Sequence, residues 1–182
     1  MTKQLEHASK FLSLVLRHKP DAIGLTLDSE GWADLDSLIS LANANGQALS
    51  HELVFEIVAR SDKQRFALNS ERTRIRANQG HSVQIDLNLQ PQTPPAQLFH
   101  GTATRFADSI RKDGLLRQSR QHVHLSATIE TATAVGARHG KPLVLAVRAL
   151  EMQQAGAAFY LSDNGVWLTD AVPVQYIDFQ AI

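Results

Sequence analysis

Apolar residues recur at helical spacing in three segments of the N-terminal half of the chain. The inward-facing positions of these segments are Leu5, Ala8, Leu12 and Val15, then Leu35, Leu38, Ile39 and Ala42, and finally Val54, Ile57 and Val58. Intervals of three and four residues predict three amphipathic helices. Asp34 or Asp36 is the expected N-cap of the second helix, and Ser50 is that of the third.

A short polar turn separates two β-rich runs after the third helix. The segment "RFALNSERTRIRA", residues 65–77, places "NSER" between the two runs and therefore predicts a β-hairpin. Three helices followed by a hairpin indicate a winged-helix lobe, an architecture often used on nucleic acid.

The periodic pattern stops at "LNLQPQTPPAQ", residues 87–97, which contains three prolines among polar residues. Such a stretch is extended and typical of a linker. We therefore expect two domains, covering residues 1–90 and residues 97–182.

Short β-rich runs dominate the second half of the chain. These runs are "LFHGT", "HVHLS", "PLVLAVRAL", "AAFYLS", "GVWLT" and "VQYIDF". Two helices are expected among them, one from Thr104 to Lys112 before Gly114 and one from Thr128 to His139 before Gly140. This alternation predicts an α+β fold with a mainly antiparallel sheet.

Composition narrows the classes of protein that fit this pattern. The 182 residues carry a formal net charge of zero and no cysteine. Zero net charge argues against binding nucleic acid by bulk electrostatics, so any anion site is local. The absence of cysteine excludes disulfides, thiolate nucleophiles and cysteine-based zinc sites. The N-terminus lacks a signal peptide, and no apolar run is long enough for a membrane span, so we expect a cytoplasmic protein.

The hairpin is basic although the protein as a whole is not. Residues 60–76 contain two acidic residues and six basic ones, Arg60, Lys63, Arg65, Arg72, Arg74 and Arg76. A solvated, charged hairpin explains this composition without any ligand. Strand alternation, however, places Arg72, Arg74 and Arg76 on one face, where they repel one another unless an anion lies among them, and this favours a phosphate partner.

The first helix ends in "LVLRHKP", residues 14–20, with three adjacent basic side chains before Pro20. Cations suit the negative end of a helix dipole, and proline ends a helix, so a purely structural interpretation exists. "RANQGHS", residues 76–82, follows a strand and by itself indicates a turn. "FHGT", residues 99–102, has backbone N–H groups suited to a nucleotide, although an ordinary strand end fits equally well.

His122, His124 and Ser126 alternate along one strand and share a face. A metal site would need a third ligand, and no nearby carboxylate supplies one, so no metal is expected. The sequence also lacks the phosphate-loop, nucleophile-elbow, zinc-protease and dinucleotide-binding signatures.

Together these strings resemble the RNA 2′-phosphotransferase family, NAD-dependent enzymes that remove an internal 2′-phosphate from RNA such as spliced tRNA. The matching pieces, in family order, are "LSLVLRHKP", "GW" at 31–32, "RFAL", "IRANQGHS", "HGT", "RQHVHLS", "GARHGKP", "FYLSDNGVWLT" and "VPVQYI". They span about residues 9–177. The resemblance implies an N-terminal winged-helix, RNA-binding lobe and a C-terminal lobe of the ADP-ribosyltransferase type that binds NAD.

The resemblance also implies a catalytic set, Arg17, His18, Arg76 and Arg120, that meets between the lobes. In the implied reaction the 2′-phosphate attacks NAD and releases nicotinamide, giving an RNA-2′-phospho-ADP-ribose intermediate. The ribose 2″-hydroxyl then attacks phosphorus, yielding 2′-OH RNA and ADP-ribose 1″,2″-cyclic phosphate. His18 is expected to carry a proton or to bind phosphate, and the three arginines are expected to clamp phosphate.

NAD, consumed as a co-substrate, is expected to contact residues on two strands and one helix end. These residues are His100, Gly101, Thr102, His124, Leu125, Ser126, Gly136, Arg138 and His139. The expected partner is RNA bearing a 2′-phosphate, tRNA-like in kind, with no membrane and no protein partner, so that the protein acts as a monomer. Phe159 and Trp167 are expected in the core.

Two other functions remain compatible with these residues. One is an ADP-ribosyltransferase that caps terminal phosphates of RNA or DNA and stops after the first step. The other is a non-catalytic winged-helix regulator that senses NAD or ADP-ribose, against which the four retained catalytic-type residues count.

Overall fold

The structure is a computed structural model that describes residues 3–61 and 63–179. The chain divides into two compact units, Met1–Asn88 and Leu89–Ile182. They are called the first unit and the second unit below.

The described residues of the first unit form three α-helices and one small sheet. Its elements are α1 (Lys3–Arg17), β1 (Ala33–Asp34), α2 (Leu35–Ala44), α3 (His51–Ala59), β2 (Phe66–Leu68) and β3 (Arg74–Ala77), with a 3₁₀ turn at Pro20–Ile23. The sheet is antiparallel in the order β1-β3-β2. Each helix contributes buried residues to a single core under this sheet.

The three predicted helices and their caps are confirmed. Asp34 Oδ1 accepts a hydrogen bond from the Ser37 N–H at 2.8 Å, and Ser50 Oγ accepts one from the Leu53 N–H at 3.3 Å. These contacts satisfy backbone donors that a helix start leaves without partners. Most of the predicted inward positions are buried, whereas Ile39 and Val58 are half-buried and pack against the core.

The hairpin forms, but the expected row of three arginines on one strand face is wrong. Strand β3 begins at Arg74, and Arg72 lies in the preceding turn with φ +56°. The Asn69 side chain explains why the turn extends to Thr73: its Oδ1 accepts hydrogen bonds from the N–H groups of Thr73 and Arg74. Only Arg74 and Arg76 therefore share a strand face.

As far as the structure describes it, to residue 179, the second unit consists of short strands and three α-helices. Its elements are β4 (Leu98–Ala103), α4 (Ala107–Asp113), β5 (Leu115–Leu116), β6 (Val123–Leu125), α5 (Ile129–Gly136), β7 (Pro142–Val147), α6 (Ala149–Gln154), β8 (Tyr160–Leu161), β9 (Trp167–Thr169), β10 (Ala171–Val172) and β11 (Ile177–Asp178). Three short 3₁₀ turns lie at Thr104–Phe106, Ala137–His139 and Val174–Tyr176.

All strand pairs in the second unit are antiparallel among the described residues. They form the sheets β11-β7-β4, β6-β9-β8 and β10-β5. Reciprocal backbone hydrogen bonds between Phe99 and Ser126 join β4 to β6. The prediction of an α+β fold with antiparallel strands is confirmed.

Two β-rich runs are shorter than expected. In the run "PLVLAVRAL", strand β7 ends at Val147 and helix α6 begins at Ala149. Arg148, between them, forms salt bridges with Glu151 and Asp178. The run "VQYIDF" starts as a 3₁₀ turn and becomes β11 only at Ile177. The prediction that Phe159 and Trp167 are buried in the core is confirmed.

The proline-rich stretch is attached to the second unit. Pro91 forms a β-bridge with Tyr160, and the Gln92 N–H donates to the Phe159 carbonyl at 2.8 Å. The helices in the part of the chain that the structure describes include none with the length and apolar character needed to span a bilayer.

Candidate functional site

The C-terminal end of α1 holds Arg17 and His18 against the segment that follows β3. The N–H groups of Ser82 and Val83 donate to the Arg17 carbonyl at 2.9 and 3.3 Å. His18 Nδ1 lies 2.9 Å from the Ser82 hydroxyl oxygen. A polar anchor therefore fixes the orientation of an exposed imidazole, and it joins residues 64 positions apart.

The Arg17 guanidinium turns back toward the start of the hairpin. Its Nη2 donates to the Arg65 carbonyl at 3.3 Å, and its central carbon lies 5.9 Å from the centre of the Phe66 ring. The side chain is half-buried. A backbone carbonyl and an aromatic ring therefore both contact this cation.

Arg76 lies in the middle of the first unit's sheet, opposite Ala67 on β2. Its guanidinium carbon is 4.7 Å from the centre of the Trp32 ring, close enough for a cation–π contact. Arg74 reaches the same ring at 6.0 Å, but it also forms an ion pair with Asp28.

Asp28 organises the loop that carries Trp32. Its Oδ1 accepts from the N–H groups of Glu30 and Trp32 at 3.0 and 2.8 Å. Loss of hydration raises the pKa of this carboxyl, but the Trp32 N–H and the Arg74 guanidinium outweigh that effect, and the pKa lies below its ordinary value. The loop therefore keeps a carboxylate beside Arg74.

His81 is a member of this cluster that the sequence did not single out. It is 1% exposed, and neither of its ring nitrogens has a hydrogen-bond partner among the described residues. Burial, followed by the charges of Arg17, His18 and Arg76, lowers its pKa to about 3. A neutral imidazole is thus enclosed near three basic side chains. In the sequence, the only indication of a role for His81 is its position in the motif segment "NQGHS".

We expect the first unit to lose stability in mild acid because of His81. A folded-state pKa of about 3, against 6.5 for the unperturbed side chain, means that unfolding takes up a proton below about pH 6.5. This stability is present above that pH and should fall by about 2 kcal/mol from pH 7 to pH 5. Urea unfolding followed by circular dichroism at several pH values measures it.

In His81→Gln this part of the pH dependence should vanish. The matched control is His7→Gln, which removes an exposed histidine from the same unit. Equal pH slopes in the wild type and in His81→Gln would contradict the assignment.

The second unit brings Arg120, His124 and His100 together. Arg120 Nη1 lies 2.7 Å from His124 Nδ1, and His100 Nδ1 lies 3.0 Å from the His124 carbonyl oxygen. The junction between β4 and β6 places His100 beside His124. One predicted catalytic residue and two predicted nucleotide-binding residues are therefore in one cluster.

His100 is uncharged at neutral pH. Burial is the largest cause that lowers its pKa, the bond to the His124 carbonyl opposes this, and the charges of Arg120 and His139 lower it further. Because a carbonyl only accepts, Nδ1 of His100 carries the proton and Nε2 carries the lone pair. His139, in the turn after α5, is close enough to act on this group electrostatically.

Gly101 and Gly136 have a packing role in the structure. A Cβ at Gly101 would lie 1.7 Å from the Ala132 carbonyl oxygen, and one at Gly136 would lie 2.5 Å from the Thr102 carbonyl oxygen. Helix α5 therefore lies directly against β4, and both glycines are needed for this approach.

We expect Gly101→Ala to destabilise the protein by about 3 kcal/mol or to prevent folding of the second unit, because its Cβ meets backbone that cannot rotate away. Thermal or urea unfolding measures the loss. The control is Gly46→Ala, where no atom lies within 4 Å of the new Cβ and only φ +78° opposes the change, at about 1 kcal/mol. Equal stability of the two variants would contradict the packing role.

The remaining predicted nucleotide-binding residues have varied surroundings. Thr102 and Leu125 are buried, Ser126 is half-buried at the β4–β6 junction, and Arg138 is exposed. The His122 ring is tilted by 59° against the Tyr160 ring at 5.7 Å between centres, and its Nε2 lies 4.0 Å from Asp170 Oδ1. Within residues 3–61 and 63–179, no group of three or more histidine or acidic side chains is arranged to bind a metal ion.

Both clusters combine arginine with histidine, and in each one buried or half-buried histidine stays neutral. Arginine binds phosphate oxygens through planar pairs of N–H donors, and a neutral imidazole beside it can donate one hydrogen bond and accept another. Arginine-rich donor sets of this kind suit the oxygens of phosphate esters.

The chain belongs to a known family. Residues 3–171 match the family described as "RNA 2′-phosphotransferase, Tpt1 / KptA family". The resemblance seen in the sequence motifs is thereby confirmed.

Curated relatives match along nearly their whole length. A probable RNA 2′-phosphotransferase of Hahella chejuensis is 56% identical over 177 residues, which cover 97% of this chain and 95% of the relative. The protein of the same name from Acaryochloris marina is 57% identical over 176 residues, with 97% of each chain covered. That of Pseudomonas fluorescens is 58% identical over 176 residues, covering 96% of this chain and 97% of the relative.

Proposed function

We propose that this protein removes an internal 2′-phosphate from RNA in two steps that consume NAD. The observation that carries the proposal is the cluster of Arg17, His18 and Arg76 around the neutral His81, in a chain of the RNA 2′-phosphotransferase family. Guanidinium groups are the donors that suit a doubly charged phosphate monoester.

We further propose that the first unit is a winged-helix lobe that binds RNA, tRNA-like in kind. Its three helices and three-stranded antiparallel sheet support this assignment. The second unit is proposed to be an ADP-ribosyltransferase-like lobe that binds NAD, supported by its short antiparallel strands and by the cluster on β4 and β6.

The donor set of the second unit fits a dinucleotide. Arg120 offers N–H donors to an anionic oxygen, and the lone pair on His100 Nε2 accepts from a ribose hydroxyl. His139 and Arg138 lie exposed after α5 and suit the pyrophosphate. NAD supplies a ribose carbon whose leaving group, nicotinamide, departs as a neutral ring.

In the first step a phosphate oxygen bonds to that ribose carbon and the bond to nicotinamide breaks. The phosphate is already anionic, so this step needs positioning more than proton transfer. Arg17, Arg76 and Arg120 are proposed to bind the phosphate oxygens in line with the carbon. The product is RNA-2′-phospho-ADP-ribose.

In the second step the ribose 2″-oxygen bonds to phosphorus and the bond from phosphorus to the RNA 2′-oxygen breaks. The proton lost by the 2″-hydroxyl must reach that departing 2′-oxygen. His18 is proposed to carry it, because the contact between its Nδ1 and the Ser82 hydroxyl fixes the orientation of the ring. The arginines stabilise charge on the phosphoryl oxygens.

The test is to incubate the protein with NAD and a short RNA carrying one internal 2′-phosphate, and to identify the products by mass spectrometry. The proposal predicts 2′-OH RNA, nicotinamide and ADP-ribose 1″,2″-cyclic phosphate in equal amounts. The same RNA without the 2′-phosphate is the control. ADP-ribosylated RNA as the final product would indicate a capping enzyme, and NAD binding without turnover would indicate a sensor.

A further inference from the structure

Arg120 lies on a segment with little regular structure. It follows β5 in a turn whose residue Gln118 has φ +56°, and its own N–H donates to the Arg117 carbonyl at 3.1 Å. The side chain is exposed. A long arginine side chain on such a turn has many rotamers, and binding phosphate in a defined orientation requires that one of them be selected.

The contact with His124 selects that orientation. The 2.7 Å bond joins Arg120 Nη1 to His124 Nδ1, and only arginine can be its donor, because a guanidinium has no acceptor. His124 Nδ1 must therefore carry a lone pair, with the ring proton on Nε2. The bond exists only for this neutral tautomer.

His124 is itself held firmly. It pairs with Leu168 in the sheet, and its carbonyl accepts the His100 Nδ1 proton at 3.0 Å. Ser126, two residues after His124, is fixed by its reciprocal backbone hydrogen bonds with Phe99. The ring thus connects a side chain on a turn to the junction of two sheets.

We infer that His124 is a positioning residue for Arg120: its Nδ1 holds the guanidinium in the orientation that binds the phosphate. This inference rests on the proposed role of Arg120 in the reaction. In this inference the Nδ1 side of the His124 ring positions Arg120, and this role is separate from any contact that Nε2 makes with NAD.

Two substitutions separate the two sides of the ring. His124→Asn places an amide oxygen where Nδ1 was and removes Nε2, whereas His124→Gln places its amide near the former Nε2 and leaves the Nδ1 position apolar. His124→Leu removes both polar positions. The readouts are kcat with the 2′-phosphorylated RNA, KM for NAD, and circular dichroism to check the fold.

We expect His124→Leu and His124→Gln to lower kcat by about 10- to 100-fold, as misoriented catalytic groups do. His124→Asn should recover most of kcat while KM for NAD stays raised. Comparable kcat values for His124→Asn and His124→Leu in folded protein would overturn the inference.

A double-mutant cycle with Arg120→Ala completes the test. If His124 acts through Arg120, His124→Leu should change kcat less than about 2-fold in the Arg120→Ala background. A further loss as large as in the wild-type background would contradict the inference. Inactivity of the wild-type protein with this RNA would instead count against the proposed function, so the two failures are distinguishable.

Discussion

His18→Ala should accumulate RNA-2′-phospho-ADP-ribose when it is mixed with NAD and 2′-phosphorylated RNA. In the proposed mechanism the proton moves in the second step, so the loss of the imidazole should slow that step by about 10² to 10⁴-fold and the first step by much less. Rapid-quench sampling, with gel separation of the adduct from substrate and product, gives both rates.

Ser82→Ala is the matched control for the orientation of His18. It removes the hydroxyl 2.9 Å from Nδ1 but keeps the imidazole, so the second step should slow by only about 10-fold. Equal slowing of both steps in His18→Ala would show that His18 binds phosphate throughout and carries no proton.

Arg76→Ala should impair the use of RNA without affecting NAD. Removal of one arginine from a phosphate clamp should lower kcat/KM for the RNA by about 10² to 10³-fold. The affinity for NAD, measured by calorimetry, should change less than about 2-fold, because the predicted NAD-binding residues all lie on the second unit. Arg76→Lys should give an intermediate value, since lysine keeps the charge but not the planar fork.

Arg72→Ala controls for charge alone. It removes one exposed arginine from the same hairpin, at the turn beside Phe55. Its effect on kcat/KM should be less than about 10-fold, in line with a general contribution to RNA attraction. A loss of NAD affinity in Arg76→Ala, or equal losses in the two variants, would contradict the assigned role.

The helices of the first unit were predictable because the residues that form and bury a helix follow a pattern within a short stretch of sequence. Leu5, Ala8, Leu12 and Val15 repeat at the helical interval, and Asp34 and Ser50 carry the oxygens that cap a helix start. The start of β3 was not predictable from alternation, because the Asn69 side chain competes for the backbone N–H groups of the strand.

The part of the candidate site that the sequence missed depends on long-range packing. His81 is buried because the segment after β3 folds back onto the end of α1, through the bonds from Ser82 and Val83 to Arg17. No local pattern encodes that contact. Similarly, Gly101 reads as a flexible turn residue in the sequence, whereas its function in the fold is to admit the backbone of α5.

The family resemblance supplied what neither periodicity nor composition contained, namely which basic residues to consider together. The structure places Arg17, His18 and Arg76 in one electrostatic cluster with His81, and it places Arg120 with His124. Their assignment to catalysis stays a prediction that the variants above test.

The most direct test of the account follows the phosphorus atom itself. RNA labelled with ³²P only in its internal 2′-phosphate is mixed with excess wild-type protein and NAD, and samples are taken through a single turnover. The account predicts that the label passes from RNA to the RNA-linked adduct and then entirely to ADP-ribose 1″,2″-cyclic phosphate. Release of the label as inorganic phosphate, or its loss from RNA without NAD, would contradict the central claim that this protein transfers the 2′-phosphate to the ribose of NAD.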